Sequence, residues 1–340
     1  MAVCCVLGIA VLAAGMLYQA KTGKPRGGGA DSYQVASDAF AALSGSVKDK
    51  SSHAVDTAAK NIKKEQDAKQ AAAKKAREKQ AQLRGNKTGA AKSGSVSWNG
   101  KWEYAGYSKI HTGQAMLYKS SADKRKEITV AVNAGHGTRG GNSVRTQCHP
   151  DGSPKVVSGS TPAGSTTAAA VSSGTTLLDG TSEGAATLAV ARAVKEELLA
   201  KGYDVLMLRD AEDVQLDNIA RTVMANNLAN CHISIHYNSS ENGSGLFYIS
   251  VPDVSSYRSM EPVASHWREH EALGQSLVEG ARTAGVPIKG NGSMAIDLTQ
   301  TSYSTIPSVD LEVGDRASDH SSAAIARIAK GITAGVDRYF

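Results

Sequence analysis

The stretch Ile128-Thr129-Val130-Ala131-Val132-Asn133-Ala134-Gly135-His136-Gly137 decides how the rest of this sequence reads. Its alternating apolar run predicts a buried strand, and the Gly-His-Gly after it predicts a turn. An imidazole at the carboxyl end of a strand sits where open α/β sheets bind their ligands. Three later residues stand in comparable places. Glu183 follows Thr181-Ser182, either of which can cap a helix, and Leu188, Ala189, Ala193, Val194, Leu198 and Leu199 recur behind it at helical spacing. That helix is predicted to end near Lys201-Gly202, with a strand over 203–208. His236 closes the β-prone run His232-Ile233-Ser234-Ile235-His236, and Glu312 lies near the end of Pro307-Ser308-Val309-Asp310-Leu311-Glu312-Val313-Gly314. These strands and helices are read as those of an open α/β sheet.

Two neutral imidazoles and one carboxylate, His136, His236 and Glu183, form a three-ligand set with an open fourth position, the catalytic form of a zinc site. Zn, Co and Mn can occupy similar ligand sets. With one anionic ligand such a centre stays positive, so it acidifies water to a pKa of about 7 and polarises an amide carbonyl. A further carboxylate must carry the proton to the leaving nitrogen, and Glu312 is assigned that role. Asp310, two residues earlier and on the same strand face, is the main rival, with Asp315 another.

The order Gly-His-Gly, Glu at a helix start, Ser234-Ile235-His236-Tyr237-Asn238 and then Leu311-Glu312-Val313-Gly314 resembles the zinc-dependent N-acetylmuramoyl-L-alanine amidases. Arg209, Arg221 with Ala225-Asn226, and Ile328-Ala329-Lys330-Gly331-Ile332 also fit. The resemblance spans about residues 127 to 340 and implies an α/β fold with a parallel or mixed sheet, mostly parallel and twisted, flanked by helices. It implies zinc ligands at His136, Glu183 and His236, with Glu312 as acid/base. It also implies hydrolysis of the bond between the lactyl carbonyl of N-acetylmuramic acid and the L-alanine of the peptidoglycan stem. A Gly/Ser/Thr-rich insertion, about 138–181, is longer than the family's usual segment and reads as a lid or a disordered loop.

Upstream, Ala2 to Tyr18 is an uncharged apolar run, slightly short of the ~20 residues of a spanning helix. Residues 1–19 therefore read as a membrane anchor or signal segment. Lys21, Lys24 and Arg26 after the run argue for a cytoplasmic chain by the positive-inside rule, against the extracytoplasmic, membrane-anchored or secreted location that a wall enzyme needs. Residues 20–94 read as linker and an Ala/Lys-rich helical stalk without an a/d seam. Residues 95–126, with Trp98, Trp102, Tyr104, Tyr107 and Tyr118, read as a hairpin packed on the catalytic domain or as a sugar-stacking platform. The net charge of +6 and pI near 9.0 suit the anionic cell wall as partner, but most of the excess lies upstream of the enzyme-like region and reads more simply as a solvated basic stalk. No nucleic-acid-binding module is recognisable, so nucleic acid is not expected as a partner.

Cys148 and Cys231 are expected as a disulfide pinning the insertion or as free buried thiols. His266-Trp267-Arg268-Glu269-His270 matches the H-x-x-E-H pattern of a class of zinc peptidases, with a solvated helix surface as the plainer reading. A catalytically silent wall-binding or regulatory protein on the amidase scaffold is the remaining alternative. It requires a broken ligand set or a missing base.

Overall fold

The computed structural model describes residues 92–340, together with residues 60 and 64. The expected anchor and nearly all of the linker and stalk lie outside the described residues. Strands β1 (Gly94–Ser97) and β2 (Gln114–Tyr118) flank a single 3₁₀ turn, Ala105–Tyr107, and β3 spans Thr129–Ala134. Within the insertion lie β4 (Arg145–Gln147) and β5 (Thr167–Ala169). Helix α1 (Glu183–Ala200), β6 (Asp204–Met207), α2 (Asn218–Leu228) and β7 (Cys231–Asn238) follow. The chain continues through β8 (Leu246–Ser250), α3 (Ser255–Arg258), α4 (Val263–Thr283) and β9 (Ile288–Ala295). It closes with α5 (Thr299–Tyr303), β10 (Ser308–Asp315) and α6 (Ser322–Tyr339).

The main sheet has eight strands in the order β1-β2-β6-β3-β7-β10-β8-β9. Its centre, β6-β3-β7-β10, is parallel, as expected. Antiparallel neighbours on both sides, β2 against β6 and β8 against β10, make it a mixed sheet. Central strands are buried on both faces, which is why β3 and β6 read as nearly continuous apolar runs.

The two faces differ in chemistry. Ile233 and Ile235 of β7, with Val309, Leu311 and Val313 of β10, face α1, α4 and α6 in the larger core. Alternation sends His232, Ser234 and His236, and with them Ser308, Asp310 and Glu312, to the opposite face. At the strand starts this polar ladder is satisfied internally: Gln300 Oε1 accepts from Ser234, and Gln300 Nε2 donates to Ser308 Oγ at 2.9 Å. At the carboxyl ends the ladder opens into the candidate site.

The lead-in packs on the domain. Trp98 and Trp102 lie against the second core, with Leu206, Leu208 and Met224, and the 3₁₀ turn brings Tyr104 and Tyr107 onto Tyr303. The insertion is ordered as a hairpin rather than a disordered loop: β4 pairs β5, and beyond them Lys155 N–H donates to Ser165 O at 2.9 Å. Asp297, fully buried, gathers it from the far side. Its carboxylate accepts from His149 Nε2 (3.0 Å), Lys155 Nζ (3.2 Å), and the backbone N–H groups of Val156 (2.8 Å) and Val157 (3.0 Å). Burial would raise the Asp297 carboxyl, but these donors outweigh it and hold the pKa at about 2. Cys148 and Cys231 are both free buried thiols, so the disulfide alternative falls.

Candidate metal centre and acid

The Gly-His-Gly turn has a steric explanation. A Cβ at Gly135 would stand 2.3 Å from the His236 ring, so the first glycine leaves room for the second imidazole. His136 (φ 66) and Gly137 (φ 69) then both take left-handed backbone, which aims the His136 ring back over the strand end. Two buried guanidiniums hold the turn in this shape. Arg209 donates to the carbonyls of Ala134, Gly135 and Gly184, and Arg221 donates to those of Ala134 and His136. Burial pulls both guanidinium pKa values down, to about 10 for Arg209 and about 9 for Arg221. Arginine nevertheless remains charged.

Glu183 is the first residue of α1, whose N-cap is Ser182 with its side chain accepting from Ala185 N–H. One carboxylate oxygen, Oε2, accepts from Thr175 N–H at 2.8 Å. The other, Oε1, lies 2.7 Å from His136 Nε2 and 3.1 Å from His236 Nδ1, and the two imidazole nitrogens are 3.0 Å apart. The structure therefore brings His136, Glu183 and His236 together, their ligand atoms within 4.8 Å of one another. No other such group of three occurs among the described residues. Burial would raise the Glu183 carboxyl, but hydrogen bonds from the two imidazoles hold it far below the ordinary range.

Whether these residues suit a metal is decided by what lies behind them. The carbonyl of Ser172 is 2.9 Å from His136 Nδ1; by accepting that N–H it leaves the Nε2 lone pair facing Glu183. Across the site, Asp310 Oδ2 lies 3.6 Å from His236 Nε2, behind the ring and away from its inward nitrogen. Burial would lower the His236 imidazolium, yet Asp310, Glu183 and Glu312 raise it to about 10. An N, N, O set whose imidazoles are oriented from outside fits a cation with borderline nitrogen preference such as zinc.

Glu312 pairs in register with His236 on β7 and with Phe247 on β8. Its Oε2 is buried without a hydrogen-bond partner among the described residues. Burial first, then the Asp310 and Glu183 carboxylates, pushes the Glu312 carboxyl well above the ordinary range. A carboxyl so placed takes and releases a proton near neutral pH. Asp310 is raised as well, chiefly by burial. Asp315 is engaged elsewhere: Ser240 and Ser244 hydroxyls and the N–H groups of Asn242 and Ser244 donate to Oδ2, outweighing burial and holding its pKa at about 2. That removes it as a candidate acid.

The H-x-x-E-H motif is not a metal site. His266 pairs with Glu269 at 3.3 Å within α4, while His270 is buried and its Nδ1 accepts from Ser308 N–H at 3.0 Å. The expectation of a solvated surface also fails at His270, because α4 packs this side against the sheet. Residues missed by the sequence reading are Ser172, Gly174 and Thr175 at the end of the insertion. A Cβ at Gly174 (φ 79) would stand 2.9 Å from the His136 ring and 3.0 Å from Glu183 Oε2. A Ser-Ser-Gly-Thr run shortly before a helix cap was the available signal.

A family model described as N-acetylmuramoyl-L-alanine amidase (Amidase_3) matches residues 130–338. The chain belongs to this amidase family. Among solved structures, it is similar to the N-acetylmuramyl-L-alanine amidase Ami1 of Mycobacterium smegmatis, with 19% identity and a TM-score of 0.51 over 65% of this chain and 98% of that one. The apo form of Ami1 from Mycobacterium abscessus gives 18% identity and a TM-score of 0.50, covering 62% of this chain and 98% of that one. At these identities the likeness speaks for the fold. No curated protein matches the sequence significantly. The family carries peptidoglycan amidase activity.

Proposed function

We propose that this amidase is zinc-dependent and hydrolyses the amide between the lactyl carbonyl of N-acetylmuramic acid and the L-alanine of the stem peptide. The observation that carries the reading is the convergence of His136, Glu183 and His236 beside Glu312, an uncommonly basic carboxyl with an unpartnered oxygen. When bound, the metal supplies Lewis acidity, polarising the carbonyl and making water a competent nucleophile at neutral pH. The chain's own residues do the rest. His136 Nε2, His236 Nδ1 and one Glu183 oxygen would hold the ion, with Ser172 and Asp310 fixing the imidazoles from behind. Glu312 takes a proton on its carboxylate as the amide is attacked and returns it to the departing nitrogen.

A silent scaffold would need a missing ligand or base, and none is missing here. The substrate places the enzyme outside the cytoplasmic membrane, tethered or released according to the fate of residues 1–19. Among the described residues no helix is long and apolar enough to cross a membrane. Mass spectrometry of digested peptidoglycan tests the reading directly. Stem peptides with a free amino-terminal L-alanine are expected, together with zinc in the purified protein. Glycan or inter-peptide cleavage without such ends would refute it.

A further inference from the structure

One cation beside the cleft has no task in the chemistry above. β9 pairs with β8 at Leu246↔Ile288 and next at Tyr248↔Ser293, so a step of two residues on β8 spans five on β9. Lys289-Gly290-Asn291-Gly292 together stand against Phe247 alone and bulge from the sheet, and Gly290 (φ 55) and Gly292 (φ 88) supply the left-handed backbone. Because β9 is the last strand, the bulge stands at an open edge. It carries the half-buried Lys289 to a point where Nζ is 4.6 Å from the centre of the Phe247 ring. Phe247 lies directly opposite Glu312 in the antiparallel ladder, and opposed residues share a face. The ammonium is thus about one strand away from the proton carrier, near enough for its charge to act on Glu312.

Other cations around the site are committed. Arg209 and Arg221 are spent on carbonyls, and Arg316 pairs with Glu241 and donates to Thr176 O at 2.7 Å. Lys289 makes a cation–π contact and forms no ion pair among the described residues. Beside the ligand set, in contrast, the site carries two further acids, Asp310 and Glu312. Among the described residues, a substrate carboxylate beside Asp310 and Glu312 finds an uncommitted counter-charge only at Lys289. In a muramoyl peptide the lactyl carboxyl is consumed in the scissile amide, so the free carboxylates belong to the stem.

We propose that Lys289 is the specificity residue for the anionic stem peptide, its ammonium binding a stem carboxylate while the Phe247 ring holds the side chain in place. The proposal rests on the amidase reading. It predicts that the full-length enzyme prefers a muramoyl peptide with free stem carboxylates over the same peptide with those groups converted to carboxamides. Lys289→Met should lose roughly 10- to 100-fold in kcat/KM on the free-acid peptide, chiefly through KM, and far less on the carboxamide. Lys289→Arg should recover most of that loss.

An equal loss on both peptides, or a loss confined to kcat, would overturn the proposal and make Lys289 a residue that acts through Glu312. Unchanged KM on both would overturn it as well. A wild-type enzyme that cleaves neither peptide refutes the amidase reading and takes this inference with it. That pattern is distinct from an active wild type with an indifferent variant.

Discussion

Replacing Asp297 with Asn keeps the shape of the side chain and removes its charge, and four donors lose by it. All four belong to the insertion: His149, Lys155, Val156 and Val157. Two independent routes give the cost. The carboxyl is held at about 2 in the folded chain against ~3.9 for a free aspartate, and at 1.36 kcal/mol per unit that is about 2.5 kcal/mol. Breaking a buried pair, here leaving Lys155 buried without its counter-charge, costs about 3–5 kcal/mol. A loss of ~3 kcal/mol at pH 7 is therefore expected, or a fall in Tm of about 6–12 °C for a domain of this size.

The sign of the pH dependence follows from the depressed folded pKa. The stabilisation is complete above the unfolded pKa and is lost as pH falls from about 4 towards about 2, with roughly half remaining at pH 3. Urea unfolding of wild type and Asp297→Asn at pH 7 and pH 3 measures both quantities. A difference below 1 kcal/mol at pH 7, or one that does not shrink at pH 3, would refute the clamp.

Three further outcomes follow from the site. His136→Ala, Glu183→Ala and His236→Ala should each lower zinc content as well as activity, as metal analysis will show; full zinc in all three would reject the ligand set. Glu312→Gln should retain zinc and lose about 10²- to 10⁴-fold in kcat, whereas Asp310→Asn should act partly through metal affinity, because it stands behind His236. A fully active Glu312→Gln enzyme would move proton transfer elsewhere. Gly174→Ala sets a side chain on left-handed backbone against the His136 ring, so about 1–3 kcal/mol of stability and part of the zinc affinity should go together. Unaltered zinc affinity, measured by chelator competition, would show that the ring tolerates the intrusion.

What could be read in the sequence was set by local periodicity. Each of the four polar residues lies in or beside an element whose apolar pattern is visible within ten residues, so their placement towards the carboxyl ends of strands or at a helix start was legible. The parallel centre was expected from the family resemblance. The β1–β2 hairpin was expected, but the antiparallel pairing of β2 with β6 and of β8 with β10 was not legible, since strand direction leaves no mark on a period of two. The arrangement of Ser172 and Thr175 behind the ligands depends on long-range closure of the insertion, which residue spacing does not encode. His270 shows the opposite error. A charged neighbourhood suggested solvent, but its place on the buried side of α4, one turn before Leu273 and two before Leu277, sets its fate.

The insertion is tied down at two places and free at a third. Its stem is clamped by Asp297, its last residues brace His136 and Glu183, and the turn between, residues 158–164, is largely exposed. Gly164 N–H donates to Lys155 O at 2.9 Å, so the tip closes on itself before the chain returns. Inheritance can work on such an arrangement unevenly. Mutations and small length changes at the tip leave the hairpin register and the ligand supports intact, while changes at either foot are felt at once by the metal centre. The boundary between tolerant and intolerant positions therefore falls at Val157, the last residue that Asp297 holds, and at Ser165.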